Sequence, residues 1–573
     1  MEKIVGLAGA KGQAVLGAAI LGRRQPLIER RPAEDATAAV GRFHLVRKEY
    51  IARLESLYQK TLQELGEEPA KIFKAYQTIA ADDLFFKKPL NSALQEGIYP
   101  DYPIEMEKQR VSRKFAAMDD PYMRERASDI VNVCDELLRR LHGIGESGLE
   151  GPAGEPFLVV AEDLSPEDTV RIDKTLLGGF ITEKGGATSH AVILAKTLGI
   201  PAVVGAKGIL QKVKPGQLLY LNGGEGYALI EPDEAFLREF AIEKEKLARE
   251  KALYEGFAAR PAVTQDGHEV AVCINSGDEE SIKGFSASTC DGVGLFRTEF
   301  LFMGQRSYPS EELQFSVYRR LAEKTAGKEV IIRTLDIGGD KQLDYMDIPA
   351  ESNPFLGYRA IRICLDRPEV FLTQLRAILR ASHYGHIKIM FPMVVTCEEL
   401  LQAKAFVQTA MGQLRERGLP FDEGIQTGIM VETPASVLLS DQLARHADFF
   451  SIGTNDLIQY TTATDRMNEK VQYLYNPCNL SVLRAVNQTI QNGHKAGIRV
   501  GMCGEMASDE RLVPFLLGRG LDEFSVVPSQ VGRLKYMISK LNFGELQVQT
   551  ESILQTGSIQ EAETILKNFE VNV

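Results

Sequence analysis

The chain has 573 residues, of which 44% are apolar and 25% charged, with a net charge of −12. That is too long for one core, so two to four domains are expected, and the acidic balance argues against a nucleic-acid binder while suiting a basic protein partner. No stretch of about 18 uncharged apolar residues is present to span a membrane, and the seven scattered cysteines form no C-x-x-C, which suits reduced thiols in a cytoplasm.

The first residues, MEKIVGLAGAKGQAVLGAAILGRR, lack the basic start and long apolar centre of a signal peptide. They read as a strand, a Gly-rich turn and a second strand. From about 33 to 142 the pattern turns helical: ATAAVGRFHLVRKEYIARLESLYQKTLQEL, PAKIFKAYQTIA and DDPYMRERASDIVNVCDELLRRLHG repeat apolar residues at three- and four-residue steps. YPDYP (99–103) breaks the repeat, which predicts a small helical bundle with a kinked connection. From 155 onward PFLVVAEDL, LGGFITEK, IPAVVG and QLLYLNGGEGYALIEP are short β-rich runs with Gly and Pro between them. They predict an α/β domain over 1–25 and 145–232, with the bundle, 26–144, inserted into it. Residues 233–260 follow as a charged, solvated linker helix.

After Pro261 strand-like runs recur with helical segments between them. They are VAVCIN (270–275), GVGLFR (292–297), EVIIRTLD (329–336), IKIMFPM (387–393), TGIMVE (427–432), FFSIGTND (449–456), RVGMCGE (499–505) and EFSVVP (523–528). Eight such runs suggest a (β/α)8 barrel over 261–573; a doubly wound open sheet is the alternative. The expected fold class is therefore multidomain α/β ending in a (β/α)8 barrel.

Chemistry in such a barrel gathers where strands end. The second strand ends at Arg297, Thr298 and Glu299; the third offers Arg333 and Asp336, then Lys341. The fifth ends at Glu432, the sixth at Asn455 and Asp456 with Arg466 beyond, and the seventh at Cys503, Gly504 and Glu505. Three arginines at one mouth repel unless they share an anion, and their planar forks suit phosphate and carboxylate. Glu432 and Asp456 beside that anion call for a cation, and Mg2+ fits because it takes few protein oxygens. The alternative is a set of rim ion pairs. Isolated cysteines are more often small buried hydrophobes, so for Cys503 that reading stays open beside a catalytic one.

GGATSHAVILAKTLGIPAVVG (185–205) sets one histidine, His190, just inside a helix that starts near Thr188 or Ser189. A lone histidine beside an apolar face is usually a packing or surface residue. A zinc site lacks partners at ligand spacing, and a Ser–His dyad between helical neighbours is misdirected. The remaining reading is a phosphoryl acceptor. Free N–H groups and the positive helix end would hold a phosphate, the two glycines would let backbone approach, and neutral imidazole is a competent nucleophile.

This stretch resembles the phosphohistidine motif of phosphoenolpyruvate-utilising enzymes. GVGLFRTEFLFM, RTLDIGGDK, NPFLGYRAIR, QLRAILRAS, MFPMV, VETPAS, DFFSIGTNDLIQYTTATDR and GMCGEMASDE resemble the barrel motifs of the enzyme I group of that family, which serves bacterial sugar phosphotransferase systems. FAAMDDPYMRERASDI resembles its helical insertion, so the likeness runs over nearly the whole chain.

The resemblance implies that His190 takes a phosphoryl group from phosphoenolpyruvate through Nε2 and passes it to a histidine on the carrier HPr. It implies that Arg297, Arg333, Asn455, Asp456 and Arg466 bind phosphoenolpyruvate, that Glu432 and Asp456 hold Mg2+, and that Cys503 protonates the enolate to give pyruvate. Lys341 and Arg359 lie in matching motifs as weaker ligand candidates. A cytoplasmic homodimer joined through the barrel, an HPr-docking helical domain and a hinge near 230–260 are further implications. Ala187 and Lys196 stand where relatives carry Arg, and GIYPDYPIEMEKQRVSRKF departs from the usual insertion, so an HPr paralogue is an alternative carrier. A pyruvate-phosphate dikinase or phosphoenolpyruvate synthase would need an ATP-binding domain and a P-loop that the sequence lacks. A non-catalytic phosphorelay regulator would not need this full set of polar residues.

Overall fold

The computed structural model describes residues 1–22, 25–65, 67–116, 121–144, 148–152, 154–186, 189–277, 286–303, 305–339, 343–349 and 351–569. The chain divides into two compact units, Met1–Glu243 and Lys244–Val573.

The first unit begins with β1 (Glu2–Val5), β2 (Leu7–Ala10) and β3 (Gln13–Leu21). Helices α1 (Ala36–Leu65), α2 (Glu67–Ala81), α3 (Asp83–Glu96), α4 (Asp101–Ala116) and α5 (Pro121–Leu141) follow. The chain then runs through β4 (Leu149–Glu150), β5 (Phe157–Ala161), α6 (Pro166–Arg171), β6 (Leu177–Thr182), α7 (His190–Leu198), β7 (Ala202–Val204), α8 (Ile209–Lys212), β8 (Leu218–Asn222) and β9 (Tyr227–Ile230). The strands form one mixed sheet in the order β1-β9-β8-β3-β5-β6-β7-β2, with β4 on β3. Its centre, β3-β5-β6-β7, is parallel, as connections through helices require.

The helices close around Phe43, Tyr50, Phe73, Phe86 and Leu137, all buried. Val170 of α6 joins that core, and the Tyr50 hydroxyl donates to Glu167 Oε1 at 2.7 Å, so α6 ties the bundle to the sheet. YPDYP does not interrupt a helix; it starts one. Asp101 opens α4, and Pro103 falls in the first turn, where a missing N–H costs nothing. Pro89 lies inside α3.

The division between the units falls within α9 (Glu234–Ala258). This helix has no buried residue and carries i,i+4 pairs such as Arg249–Glu245 at 2.7 Å. In the second unit β10 (Ala262–Val263) pairs antiparallel with β11 (Glu269–Ser276). Then come β12 (Gly292–Phe296), β13 (Glu329–Arg333), β14 (Ile387–Phe391), β15 (Thr427–Val431), β16 (Phe449–Ile452), β17 (Arg499–Met502) and β18 (Glu523–Val526). Each of β11 to β18 pairs parallel with the next, and β18 pairs with β11, so the sheet closes into the expected barrel. Leu295, Ile331, Met390, Met430, Phe449 and Cys503 pack as one cluster contributed by β12 to β16 and the residue after β17. The larger apolar core lies between the strands and their helices, as in a barrel sealed on both faces.

Several strands end before the runs that predict them: β13 stops at Arg333 rather than Asp336, and β17 at Met502 rather than Glu505. The run FFSIGTND predicts strand as far as Asp456, whereas β16 stops at Ile452 and Asn455 and Asp456 sit in the first turn of the helix Thr454–Thr461. Gly453 makes the turn, and an acid in a first helical turn is favoured by the unpaired N–H groups there.

Candidate active site

The carboxyl ends of the barrel strands surround a cavity of about 670 Å3. Arg297, Arg333, Glu432, Asn455, Asp456, Arg466 and Cys503 all line it. Arg359 also lines it, whereas Lys341 lies outside the described residues. Four of them reach the cavity because they follow or end a buried strand. Arg333 closes β13, Arg297 follows β12, Glu432 follows β15 and Cys503 follows β17.

The cations are held by acids rather than by one another. Arg333 is buried against Glu299, and its Nη1 lies 2.8 Å from Asp336 Oδ2. Arg359 Nη2 donates to Asp336 Oδ1 at 2.8 Å and Asp456 Oδ2 at 3.1 Å, and Nη1 donates to the Tyr460 hydroxyl at 3.0 Å. Burial works against both guanidinium charges, yet Glu299 and Asp336 around Arg333, and Asp336 and Asp456 around Arg359, hold both pKa values above the usual arginine range. Arg297 is different. It is exposed at the rim, with its guanidinium 5.8 Å from the Phe300 ring centre.

Glu432 and Asp456 are both buried. Met393 N–H donates to Glu432 Oε1 at 2.6 Å, from a residue held at φ +56°. Such a backbone is costly for a side chain of this kind and persists because its surroundings impose it. Burial, then repulsion from Asp456 and Asp336, raises the Glu432 pKa to about 8, although Arg333 and Arg359 oppose the shift. Asp456 Oδ1 is buried and accepts no hydrogen bond among the described residues, with Arg466 Nη1 3.4 Å away. Two mutually repelling carboxylates, one with an oxygen left over, form a donor set that a hard divalent cation would relieve. Among the described residues no group of three or more His, Cys, Asp and Glu side chains forms a complete cage.

Cys503 is 6% exposed. Burial raises its pKa to about 11, while the nearby Ser451 hydroxyl and Arg333 pull it down. A thiol in this state keeps its proton at neutral pH, so it can serve as an acid and is a poor nucleophile.

In the first unit α7 begins at His190, with Ser189 as the residue before it. Ser189 makes no side-chain cap, and its Oγ is buried without a hydrogen-bond partner among the described residues. Gly185 holds φ +103°, a backbone open to glycine. Ala187, Thr188 and the His190 side chain lie outside what the structure describes.

The sequence reading passed over Asn275, Tyr460 and Tyr475. Asn275 and Tyr475 line the cavity, and Tyr460 binds Arg359. Asn275 was within reach, since it closes the first strand-like run, but a neutral amide carries no charge pattern to mark it. Asn455, in turn, is locked to Glu505: its Nδ2 donates to Glu505 Oε1 at 3.2 Å, and its Oδ1 accepts from Glu505 N–H at 3.1 Å.

Comparison with known proteins agrees along the whole chain. Residues 5–126 match the N-terminal domain of PEP-utilising enzymes, 154–226 their mobile domain and 251–543 their PEP-binding domain. The phosphoenolpyruvate-protein phosphotransferase of Priestia megaterium is 39% identical over 567 residues, covering 99% of both chains. That of Bacillus subtilis (strain 168) is 40% identical over 571 residues, covering 99% of both, and that of Staphylococcus carnosus (strain TM300) 38% over 573, covering 100% of both. With a closed barrel whose strand ends carry this set of arginines and acids, and with relatives matched from end to end, the chain belongs to the phosphoenolpyruvate-utilising enzymes, among the phosphoenolpyruvate–protein phosphotransferases.

Proposed function

We propose that this chain transfers the phosphoryl group of phosphoenolpyruvate to its own His190 and then to a histidine of HPr or an HPr paralogue, releasing pyruvate as the first step of sugar uptake and phosphorylation. The observation that carries the reading is one cavity lined together by Arg297, Arg333, Arg359, Arg466, the carboxylates of Glu432 and Asp456 and the Cys503 thiol. A small ligand bearing phosphate and carboxylate uses all of them.

Arg297 at the open rim and the more buried Arg333 and Arg466 would grip the ligand's anionic oxygens, with the Asn455 amide, already fixed by Glu505, fastening one more. Glu432 and Asp456 would hold Mg2+, which when bound supplies positive charge against the phosphate and carboxylate oxygens. The His190 imidazole attacks phosphorus. The bond from phosphorus to the enol oxygen breaks as the bond to nitrogen forms, and the enolate remains in the cavity. Its C3 takes the proton of Cys503 Sγ, which yields pyruvate, and the thiolate recovers a proton from water. Positioning and charge neutralisation do most of the work in such a transfer.

We assign 1–25 and 145–232 to the phosphohistidine domain, 26–144 to carrier docking, 233–260 to the linker and 261–573 to substrate binding and homodimer formation. The seven cysteines are free thiols, which fits a cytoplasmic site of action. The test is labelled phosphoenolpyruvate with Mg2+. It should give an acid-labile, base-stable phosphoprotein, absent in a folded His190→Ala variant; label retained in that variant refutes the assignment.

A further inference from the structure

The acid role of Cys503 demands that its thiol be aimed, and the structure pins the backbone of this residue from across the barrel seam. Cys503 N–H donates to Ile452 O at 3.1 Å, which fixes one side of its Cα. The other side is fixed by Asn275, whose Nδ2 donates to the Cys503 carbonyl at 3.0 Å. With both flanking peptides pinned, the Cα–Cβ bond of Cys503 has one direction.

Asn275 is itself gripped. Its Nδ2 also donates to Ser525 O at 3.1 Å, and Ser525 Oγ donates to its Oδ1 at 2.8 Å. It stands at a break in the β11–β12 register. Ile274 pairs with Val293 and Asn275 with Leu295, so Gly294 is the extra residue of a bulge. Bulges beside active sites re-aim side chains. Gly294 is needed for a second reason, since a Cβ there would collide with Glu523 Oε1 and come within 2.6 Å of Ser525 Oγ. On the far side of the thiol residue, a Cβ on Gly504 would strike Thr454, so this backbone can approach the start of the helix Thr454–Thr461 only as glycine. Nothing in this arrangement requires Asn275 to touch substrate. It is a neutral amide with each of its described hydrogen bonds spent on the Cys503–Ser525 seam.

We infer that Asn275 is a positioning residue for proton transfer: braced by Ser525, it holds the Cys503 carbonyl so that the thiol faces the carbon to be protonated. The inference rests on the proposal that Cys503 is the acid. Misplacing a reacting group by about 1 Å costs on the order of 100-fold. Phosphoenolpyruvate binding, which depends on the arginines, would be spared.

The test follows exchange of pyruvate methyl protons with deuterium oxide at saturating Mg2+ by NMR, alongside KM for phosphoenolpyruvate. Asn275→Ala and Asn275→Asp, which both lack the Nδ2 donor, should slow exchange about 10- to 100-fold and change KM less than about threefold. Ser525→Ala should show the same split, reduced to about three- to tenfold, and carries the test if the Asn275 variants fail to fold. Adding Asn275→Ala to Cys503→Ala should cost nothing further, because both act on one step. Exchange at the wild-type rate in Asn275→Asp, or a rise in KM matching the loss of exchange, overturns the inference. Cys503→Ala separates the two claims. If it exchanges normally, the acid assignment itself fails; if only Cys503→Ala is impaired, the acid stands and the positioning role is lost.

Discussion

The two ends of the barrel both bury charge, but they do so in opposite ways. At the carboxyl end, Glu432 and Asp456 repel each other beside a cavity of about 670 Å3, and Asp456 Oδ1 has no hydrogen bond among the described residues. At the amino end, Glu329, Lys388, Arg499 and Glu523 surround a space of about 10 Å3. There Lys388 Nζ sits 2.6 Å from Glu329 Oε2 and 5.3 Å from the Phe449 ring centre. The lower cluster leaves almost no room for a ligand. The upper one leaves a carboxylate oxygen without a hydrogen bond among the described residues and opens onto space. That difference, rather than the mere presence of buried ions, separates a site from a structural network.

If the contrast is sound, the largest effect comes from the rim. Arg297→Ala removes an exposed cation, so kcat/KM for phosphoenolpyruvate should fall about 100- to 1,000-fold while the melting temperature stays within about 2 °C. Activity within threefold of wild type would erase the functional side of the comparison. Next comes the closed end. Lys388→Met strands Glu329 and should cost about 3 kcal/mol, seen as a melting temperature lower by about 5 °C, with turnover within about twofold. A large loss of turnover with normal melting would reverse the roles of the two ends.

The smallest effect is a pH slope. Burial, then repulsion from Glu329, raises Glu523 to about 7, against the opposing Arg499 and Lys388. A carboxyl group with a raised folded pKa keeps its proton where the unfolded chain has lost it, so its contribution to stability declines as pH rises from about 4.5 to about 7 and is level above. Glu523→Gln should remove a slope of up to about 1.4 kcal/mol per pH unit in that window, read from urea unfolding at several pH values. An unchanged slope would show that Glu523 titrates like a surface acid.

Much of this was legible beforehand. Apolar runs of four to eight residues marked every barrel strand from β11 to β18, because a strand buried on both faces leaves no polar alternation to confuse the pattern. Polar residues at the ends of those runs marked Arg297, Arg333 and Glu432, and position at a strand end marked Cys503. Helix α4 was harder to see, since the prolines of YPDYP read as a break although Pro103 lies in a first turn that loses nothing by it. Asn455 and Asp456 follow the apolar run FFSI, and nothing in so short a stretch shows that the chain leaves the strand for a helix at Gly453.

The sequence by itself determined the order of strands and helices, the closed barrel they imply and which charged side chains stand at one end of it, because periodicity and strand ends are local properties. Only the tertiary structure decided which of those charges share a cavity, that Glu432 is pushed toward its neutral form and that Asn275 reaches across the seam to Cys503. Those facts depend on burial and on distances between residues as much as 228 positions apart, and neither is written in any short stretch of chain.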